Sequence, residues 1–204
     1  MSFGLLTIIL VVITVLTSLA GFNDERLINR LILWPSRMRT PNESHRLLSS
    51  GFIHADGMHL FFNMFTLFFI GSGVEAAYEY RVSWLLYLVL YLAGIVVSSL
   101  PSFLKNRENQ YYRSLGASGG VAAVLFASVY FAPWASIYIY FIKLPSILFA
   151  VLYLAYSVYM SRRGGDNVNH NAHFWGAIFG FVFTLVADSD HGRMFFDQIA
   201  HPDF

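Results

Sequence analysis

Residues 3–22 have the sequence FGLLTIILVVITVLTSLAGF, an unbroken apolar run without a charged side chain. A helix needs about 20 mostly apolar residues to cross the hydrocarbon core of a bilayer. No Lys or Arg precedes the run, and it is longer than the apolar core of a usual signal peptide. We therefore expect a membrane-spanning helix here rather than a cleaved leader.

The rest of the chain has the same apolar character. Hydrophobic residues make up 56% of the 204 residues and charged residues 12%, whereas soluble domains have about 25% charged residues. The net charge of +1 offers no basic surface for nucleic acid, and the absence of cysteine excludes disulfides, thiolate metal sites and a cysteine nucleophile. The sequence predicts an all-α, polytopic membrane protein with six spans in one domain, residues 1–204. The spans are expected at about 3–22, 58–74, 82–100, 115–132, 145–160 and 172–187.

The connections between these segments differ in composition. Residues 23–53 contain Trp34 and five arginines, which suits a structure lying in the headgroup region. Residues 135–144 are β-branched and aromatic, which predicts an extended interfacial connector, and residues 188–204 are expected to form a short polar tail. If the N-terminus is cytoplasmic, most Lys and Arg lie outside, against the positive-inside rule.

Polar residues inside spans are costly, so each is a functional hypothesis. The motif Gly116-Ala117-Ser118-Gly119-Gly120 starts the fourth predicted span. The N–H groups at a helix start, with the positive end of the helix dipole, stabilise a developing oxyanion. The alternative is a packing motif, in which the two outer glycines form a small-xxx-small pair and the serine bonds to its own helix.

His59 and Asn63 lie four residues apart in the second predicted span, so they share one helix face. Imidazole and amide groups are neutral donors to a developing negative charge. Asp56 lies one turn earlier, and an Asp56–His59 pair acting as the base for Ser118 is a competing arrangement. Polar contact between helices is another alternative, as is a metal site, although a metal site would want more carboxylates nearby.

His173, Gly176 and Gly180 share one face of the last predicted span. The glycines let a neighbouring helix come close, so that the imidazole can reach a serine on it. A GxxxG packing face with a histidine at the water boundary explains this segment equally well. Taken together, a serine, a histidine on another helix and separate His and Asn donors are the components of an acyl-transfer site.

In this order and spacing, the motifs resemble the rhomboid family of intramembrane serine proteases. The resemblance extends over about residues 46–187. It includes the Gly116-Ala117-Ser118-Gly119 motif, the His59 and Asn63 pair, the His173, Gly176 and Gly180 pattern, and Gly71 with Glu75 at the end of the second span.

The resemblance implies a catalytic dyad in which Ser118 is the nucleophile and His173 the general base. It implies an oxyanion site formed by His59, Asn63, the backbone N–H of Ser118, Gly116 and Gly119, with Gly176, Gly180 and Glu75 in supporting roles. It also implies a cytoplasmic N-terminus, a plasma or inner membrane location and an active site that opens to the extracytoplasmic side. The expected substrates are transmembrane segments of other membrane proteins in the lipid bilayer, and no cofactor or metal is expected.

Ala122 departs from the family pattern, in which an aromatic residue one turn after the serine often stacks on the catalytic histidine. We expect Phe126 or Tyr112 to hold the imidazole instead. The fifth predicted span is short and begins at Pro145, which makes it a plausible gate for the substrate. Oligomeric state and substrate identity do not follow from the sequence.

Two other functions use the same residues. One is a rhomboid-like pseudoprotease that binds membrane clients, which the presence of both Ser118 and His173 opposes. The other is a proton-coupled transporter with His54, His59 and His173 as a relay. Transporters often have internal repeats or interrupted helices in matching halves, and the sequence contains neither.

Overall fold

The computed structural model describes residues 4–139, 141–165 and 168–202, and these residues are predominantly helical. Short 3₁₀ turns occur at Pro35–Arg37, Pro41–Glu43 and Ser50–Phe52. The longer elements are α1 (Leu5–Phe22), α2 (Glu25–Leu31), α3 (Arg46–Ser49), α4 (Gly57–Arg81), α5 (Trp84–Lys105), α6 (Ser118–Phe131), β1 (Ser136–Ile139), β2 (Ile142–Pro145), α7 (Ser146–Arg163), α8 (His170–Ala187) and α9 (Arg193–Ala200).

Each predicted span contains a helix, but the helix bounds differ from the prediction. Helix α4 continues to Arg81 and α5 to Lys105, whereas α6 has only 14 residues. Among the described residues, α1, α4 and α5 are long and apolar enough to cross a membrane, and α6 is a shorter apolar helix. Phe3, the first residue of the first predicted span, lies outside the described residues.

Helix α6 forms the centre of the bundle and is buried along almost its entire length. Its small residues let neighbouring backbones approach closely, which is the packing typical of membrane helices. By contrast, the outer faces of α1 and α4 present large apolar side chains to the surroundings, among them Leu16, Phe61, Phe65 and Phe69. An exposed apolar surface of this kind suits contact with lipid. The long apolar helices and this exposed apolar surface together identify an integral membrane protein.

Glu75 joins α4 to the N-terminus of α1. Its buried carboxylate accepts hydrogen bonds from the Leu6 N–H at 2.9 Å, the Thr7 N–H at 2.7 Å and the Thr7 hydroxyl at 2.7 Å. The first N–H groups of a helix have no acceptor within that helix, and a carboxylate there also faces the positive end of the dipole. Glu75 therefore caps α1 from a different helix.

Replacing this cap should destabilise the bundle. We expect Glu75→Ala to lower the free energy of unfolding by about 1–3 kcal/mol, because buried N–H groups of α1 lose their acceptor. The measurement is the thermal unfolding midpoint in detergent. Glu79→Ala is the matched control, since Glu79 lies one turn further along α4 and is exposed. Equal midpoints for the two variants would contradict the capping role.

The connection between α1 and α4 is folded into short helices and turns. Asp24 caps α2 by accepting from the Arg26 N–H at 2.8 Å. Arg46 is buried, pairs with Glu43 and donates to the Ile32 carbonyl at 3.0 Å. Charged side chains of this segment are thus fixed by internal partners, which explains how an arginine-rich connection packs against the bundle.

At the opposite end of the bundle, the segment expected to be an extended connector contains the strands β1 and β2, which pair antiparallel with Ser136 opposite Pro145. The expectation of a polar tail after residue 188 was incomplete. Helix α9 lies within it, and Phe195 of α9 is buried and stacks on Tyr130 with ring centroids 5.8 Å apart. The tail therefore contributes to the core beneath α6.

Candidate active site

Ser118 is the first residue of α6 and is only partly buried. The backbone turns into this helix at Gly116, whose φ of +117° disfavours a side chain. The Gly116 N–H donates to the Ser50 carbonyl at 2.9 Å, which ties the turn to the segment before α4. Ser118 therefore lies at a helix N-terminus, where the first N–H groups have no acceptor within the helix.

His59 is brought against this turn. A Cβ built on Gly116 would lie 2.6 Å from Cε1 and 2.8 Å from Nε2 of the His59 ring. Asn63 is buried one turn later, and its Nδ2 donates to the His59 carbonyl at 2.9 Å, which leaves a second amide hydrogen for another acceptor. The structure thus groups His59 with the backbone that precedes Ser118.

Asp56, the acid of the competing arrangement, makes a backbone contact at the start of α4. It is exposed, and its carboxylate accepts from the His59 backbone N–H at 2.8 Å. It is therefore the N-cap of α4. This contact involves the backbone of His59 rather than its imidazole, so it does not orient that ring as a base.

Helices α6 and α8 lie in backbone contact at two levels. A Cβ built on Gly176 would lie 2.3 Å from the Gly119 carbonyl oxygen, and one built on Gly180 would lie 2.1 Å from the Ala123 carbonyl oxygen. From the first contact to the second, both helices advance by four residues in the same direction, so α6 and α8 run parallel. The starts of α6 and α8, with Ser118 on one and His173 on the other, therefore lie side by side.

The ring that stacks on His173 is Tyr153 of α7, with centroids 6.3 Å apart and an interplanar angle of 18°. Phe126, one of the two expected substitutes for an aromatic at Ala122, contacts Tyr153 instead, at 5.6 Å between centroids. Tyr112, the other, accepts a hydrogen bond from the Asn169 amide at 3.2 Å. The sequence prediction of the stacking partner was therefore wrong, because it considered residues close to Ser118, whereas Tyr153 lies on α7, the helix that precedes α8.

His54 is a residue of this site that the sequence analysis assigned only to a hypothetical relay. It is 1% exposed, and its Nε2 lies 3.3 Å from the Ala117 backbone nitrogen, which donates to it. Its ring meets the His59 ring edge to face, with centroids 4.9 Å apart. Burial, with a smaller contribution from His59, lowers the pKa of His54 to about 3. His54 precedes α4, so helical periodicity gave no signal for it.

Because α6 and α8 touch through backbone atoms, a methyl group at the contact should separate them. We expect Gly180→Ala to lower the free energy of unfolding by about 1–3 kcal/mol, the usual cost of overpacking, and to slow any reaction that needs both helix starts. The measurements are the thermal unfolding midpoint in detergent and the rate at which a fluorophosphonate, a reagent for reactive serines, labels Ser118. Gly73→Ala is the control, because nothing lies within 4 Å of a Cβ built there. A Gly180→Ala variant with the midpoint and labelling rate of the wild type would show that the contact between α6 and α8 tolerates a methyl group.

Comparison with known proteins agrees with this arrangement of motifs. Residues 41–188 match the family model of the rhomboid domain. The chain belongs to the rhomboid family. The resemblance drawn from the motifs alone is thereby confirmed, and the match includes all the residues around Ser118 and His173.

Several proteins named as rhomboids are similar to this rhomboid. The rhomboid protease GlpG of Haemophilus influenzae is 26% identical over 188 residues, which cover 90% of this chain and 91% of GlpG. RHOMBOID-like protein 12, mitochondrial, of Arabidopsis thaliana is 26% identical over 172 residues, 76% of this chain and 50% of that protein. RHOMBOID-like protein 4 of the same plant is 34% identical over 147 residues. These residues cover 71% of this chain and 34% of that protein. The chain thus spans half or less of the length of these plant relatives.

Proposed function

We propose that this rhomboid is an intramembrane serine endopeptidase that cleaves transmembrane segments of other membrane proteins. The observation that carries the proposal is the glycine contact between α6 and α8. It sets the helix that begins with Ser118 beside the helix that carries His173. A nucleophile and a base on adjacent helix starts, beside backbone donors, is the minimum arrangement for acyl transfer.

In the proposed reaction, neutral His173 takes the proton from the Ser118 hydroxyl as its oxygen attacks the scissile carbonyl carbon. The tetrahedral intermediate carries an oxyanion, which the N–H groups at the start of α6 and the side chains of His59 and Asn63 stabilise. His173 then protonates the departing amine, and water attacks the acyl-enzyme with the same imidazole as base. Stacking on Tyr153 supports this role, because it restricts rotation of the ring.

The proposal includes six membrane spans, with α6, α7 and α8 as the last three. The catalytic residues then lie at the ends of their helices, where water and an unwound substrate segment can meet. Helix α7 carries Tyr153, which stacks on His173, and this position beside the proposed dyad supports its assignment as the gate. We propose that this end opens to the extracytoplasmic side, following the family resemblance rather than the charges of the loops.

The test of the proposal is covalent labelling of the purified protein with a fluorophosphonate. In the reaction the serine Oγ forms a bond to phosphorus, the P–F bond breaks, and the base takes the hydroxyl proton. We expect one adduct, which mass spectrometry of the tryptic peptide after Arg113 should localise to Ser118 rather than to the other serines of that peptide. Failure of the folded protein to react would leave the pseudoprotease alternative, in which the fold binds membrane clients without cleaving them.

A further inference from the structure

His54 connects three parts of the molecule that meet behind Ser118. Its Nδ1 lies 3.0 Å from the hydroxyl oxygen of Ser18 in α1, and its Nε2 lies 3.3 Å from the backbone nitrogen of Ala117. Its ring packs edge to face on the His59 ring of α4. Because it is 1% exposed, it contacts neither substrate nor bulk water.

The hydrogen bonds determine which ring nitrogen carries the proton. Ser18 donates its hydroxyl hydrogen to the Phe52 carbonyl at 3.1 Å, so its oxygen is the acceptor for the Nδ1–H of His54. The Ala117 N–H is itself a donor, so Nε2 must offer a lone pair. Both contacts require the same neutral tautomer, with the proton on Nδ1.

A protonated His54 would direct an N–H at the N–H of Ala117, so the charged form is incompatible with this contact. The titratable groups around His54 are His59, which disfavours the charge, and Asp56, which favours it less strongly than burial opposes it. The low pKa of about 3 agrees with a ring that stays neutral across the physiological range.

We propose that His54 is a positioning residue of the protease, which fixes the peptide before Ser118 by accepting from the Ala117 N–H and fixes the His59 ring by edge-to-face contact. The inference rests on the proposed function. Ala117 immediately precedes the nucleophile, and Gly116, one residue earlier, contacts the His59 ring. One buried imidazole therefore sets the distance between the nucleophile and an oxyanion donor.

Two variants separate the hydrogen bond from the volume of the ring. His54→Gln retains an amide oxygen that can accept from Ala117, whereas His54→Leu fills similar space without an acceptor. In proteoliposomes with a model transmembrane substrate, we expect His54→Leu to lower kcat at least tenfold with KM changed less than twofold. His54→Gln should recover at least a third of the wild-type kcat. His201→Leu, at an exposed histidine of the opposite end, is the control.

Equal kcat for the Gln and Leu variants would overturn the proposal, because ring volume alone would then explain His54. Should His54→Leu fail to fold, the ¹⁵N chemical shifts of His54 in the wild type decide instead. We expect Nδ1 to carry the proton and Nε2 to lack one from pH 7 to pH 5, and a protonated Nε2 would overturn the proposal. An inactive wild type would count against the proposed function, whereas these shifts test the tautomer independently of activity.

Discussion

Ser118→Ala should abolish both cleavage of a transmembrane substrate and labelling by a fluorophosphonate, while the protein keeps its fold. The hydroxyl oxygen is the atom that forms the acyl bond, and alanine offers no substitute. Removal of the nucleophile costs on the order of 10⁶ in kcat in a soluble serine protease. We therefore expect activity below detection in proteoliposomes that contain wild type or variant at equal density.

The control for this experiment is Ser128→Ala in the same helix. The Ser128 hydroxyl donates to the Leu125 carbonyl at 2.6 Å, so it bonds to its own helix as the packing alternative for Ser118 would require. We expect Ser128→Ala to cleave and label as wild type does. Residual cleavage by Ser118→Ala above a few per cent would mean that another group supplies the nucleophile, and the protease proposal in its present form would be wrong.

The apolar runs of the sequence identified the helices, but their ends depend on contacts that a run does not record. Helix α4 continues past residue 74 because Glu75, polar in sequence, is buried against the N-terminus of α1. Helix α6 starts at Ser118 rather than at residue 115 because Gly116 has a positive φ, which an α-helix excludes. Both ends are set by three-dimensional neighbours or by a single backbone angle.

The sequence also predicted the candidate site only in part. Spacing within one helix predicted that His59 and Asn63 share a face, and the glycine pattern predicted close packing around His173. The partners contributed by other parts of the chain, Tyr153 of α7 on His173 and His54 of the segment before α4 behind Ala117, were not predicted. Periodicity reports which residues of a helix lie together, and it contains no information on which helix lies opposite.

His173→Ala should be as inactive as Ser118→Ala. Without the imidazole the Ser118 hydroxyl has no base to remove its proton, and a serine hydroxyl is a weak nucleophile at neutral pH. Residues that act as a unit are not additive, so the double variant should be no slower than either single variant. The measurement is the rate of substrate cleavage, with unfolding midpoints to show that all three variants are folded.

His59→Ala is the comparison that separates the two candidate bases. If His59 is an oxyanion donor, its loss should cost about 10²–10³ in kcat, as for one donor of a soluble protease, and leave measurable cleavage. If His59 is instead the base, His59→Ala should be inactive and His173→Ala active. Added imidazole offers a second criterion, because a small base that enters the space left beside Tyr153 should restore labelling of Ser118 in His173→Ala alone. Restoration in that variant and not in His59→Ala would identify proton transfer, rather than packing, as what the His173 ring contributes.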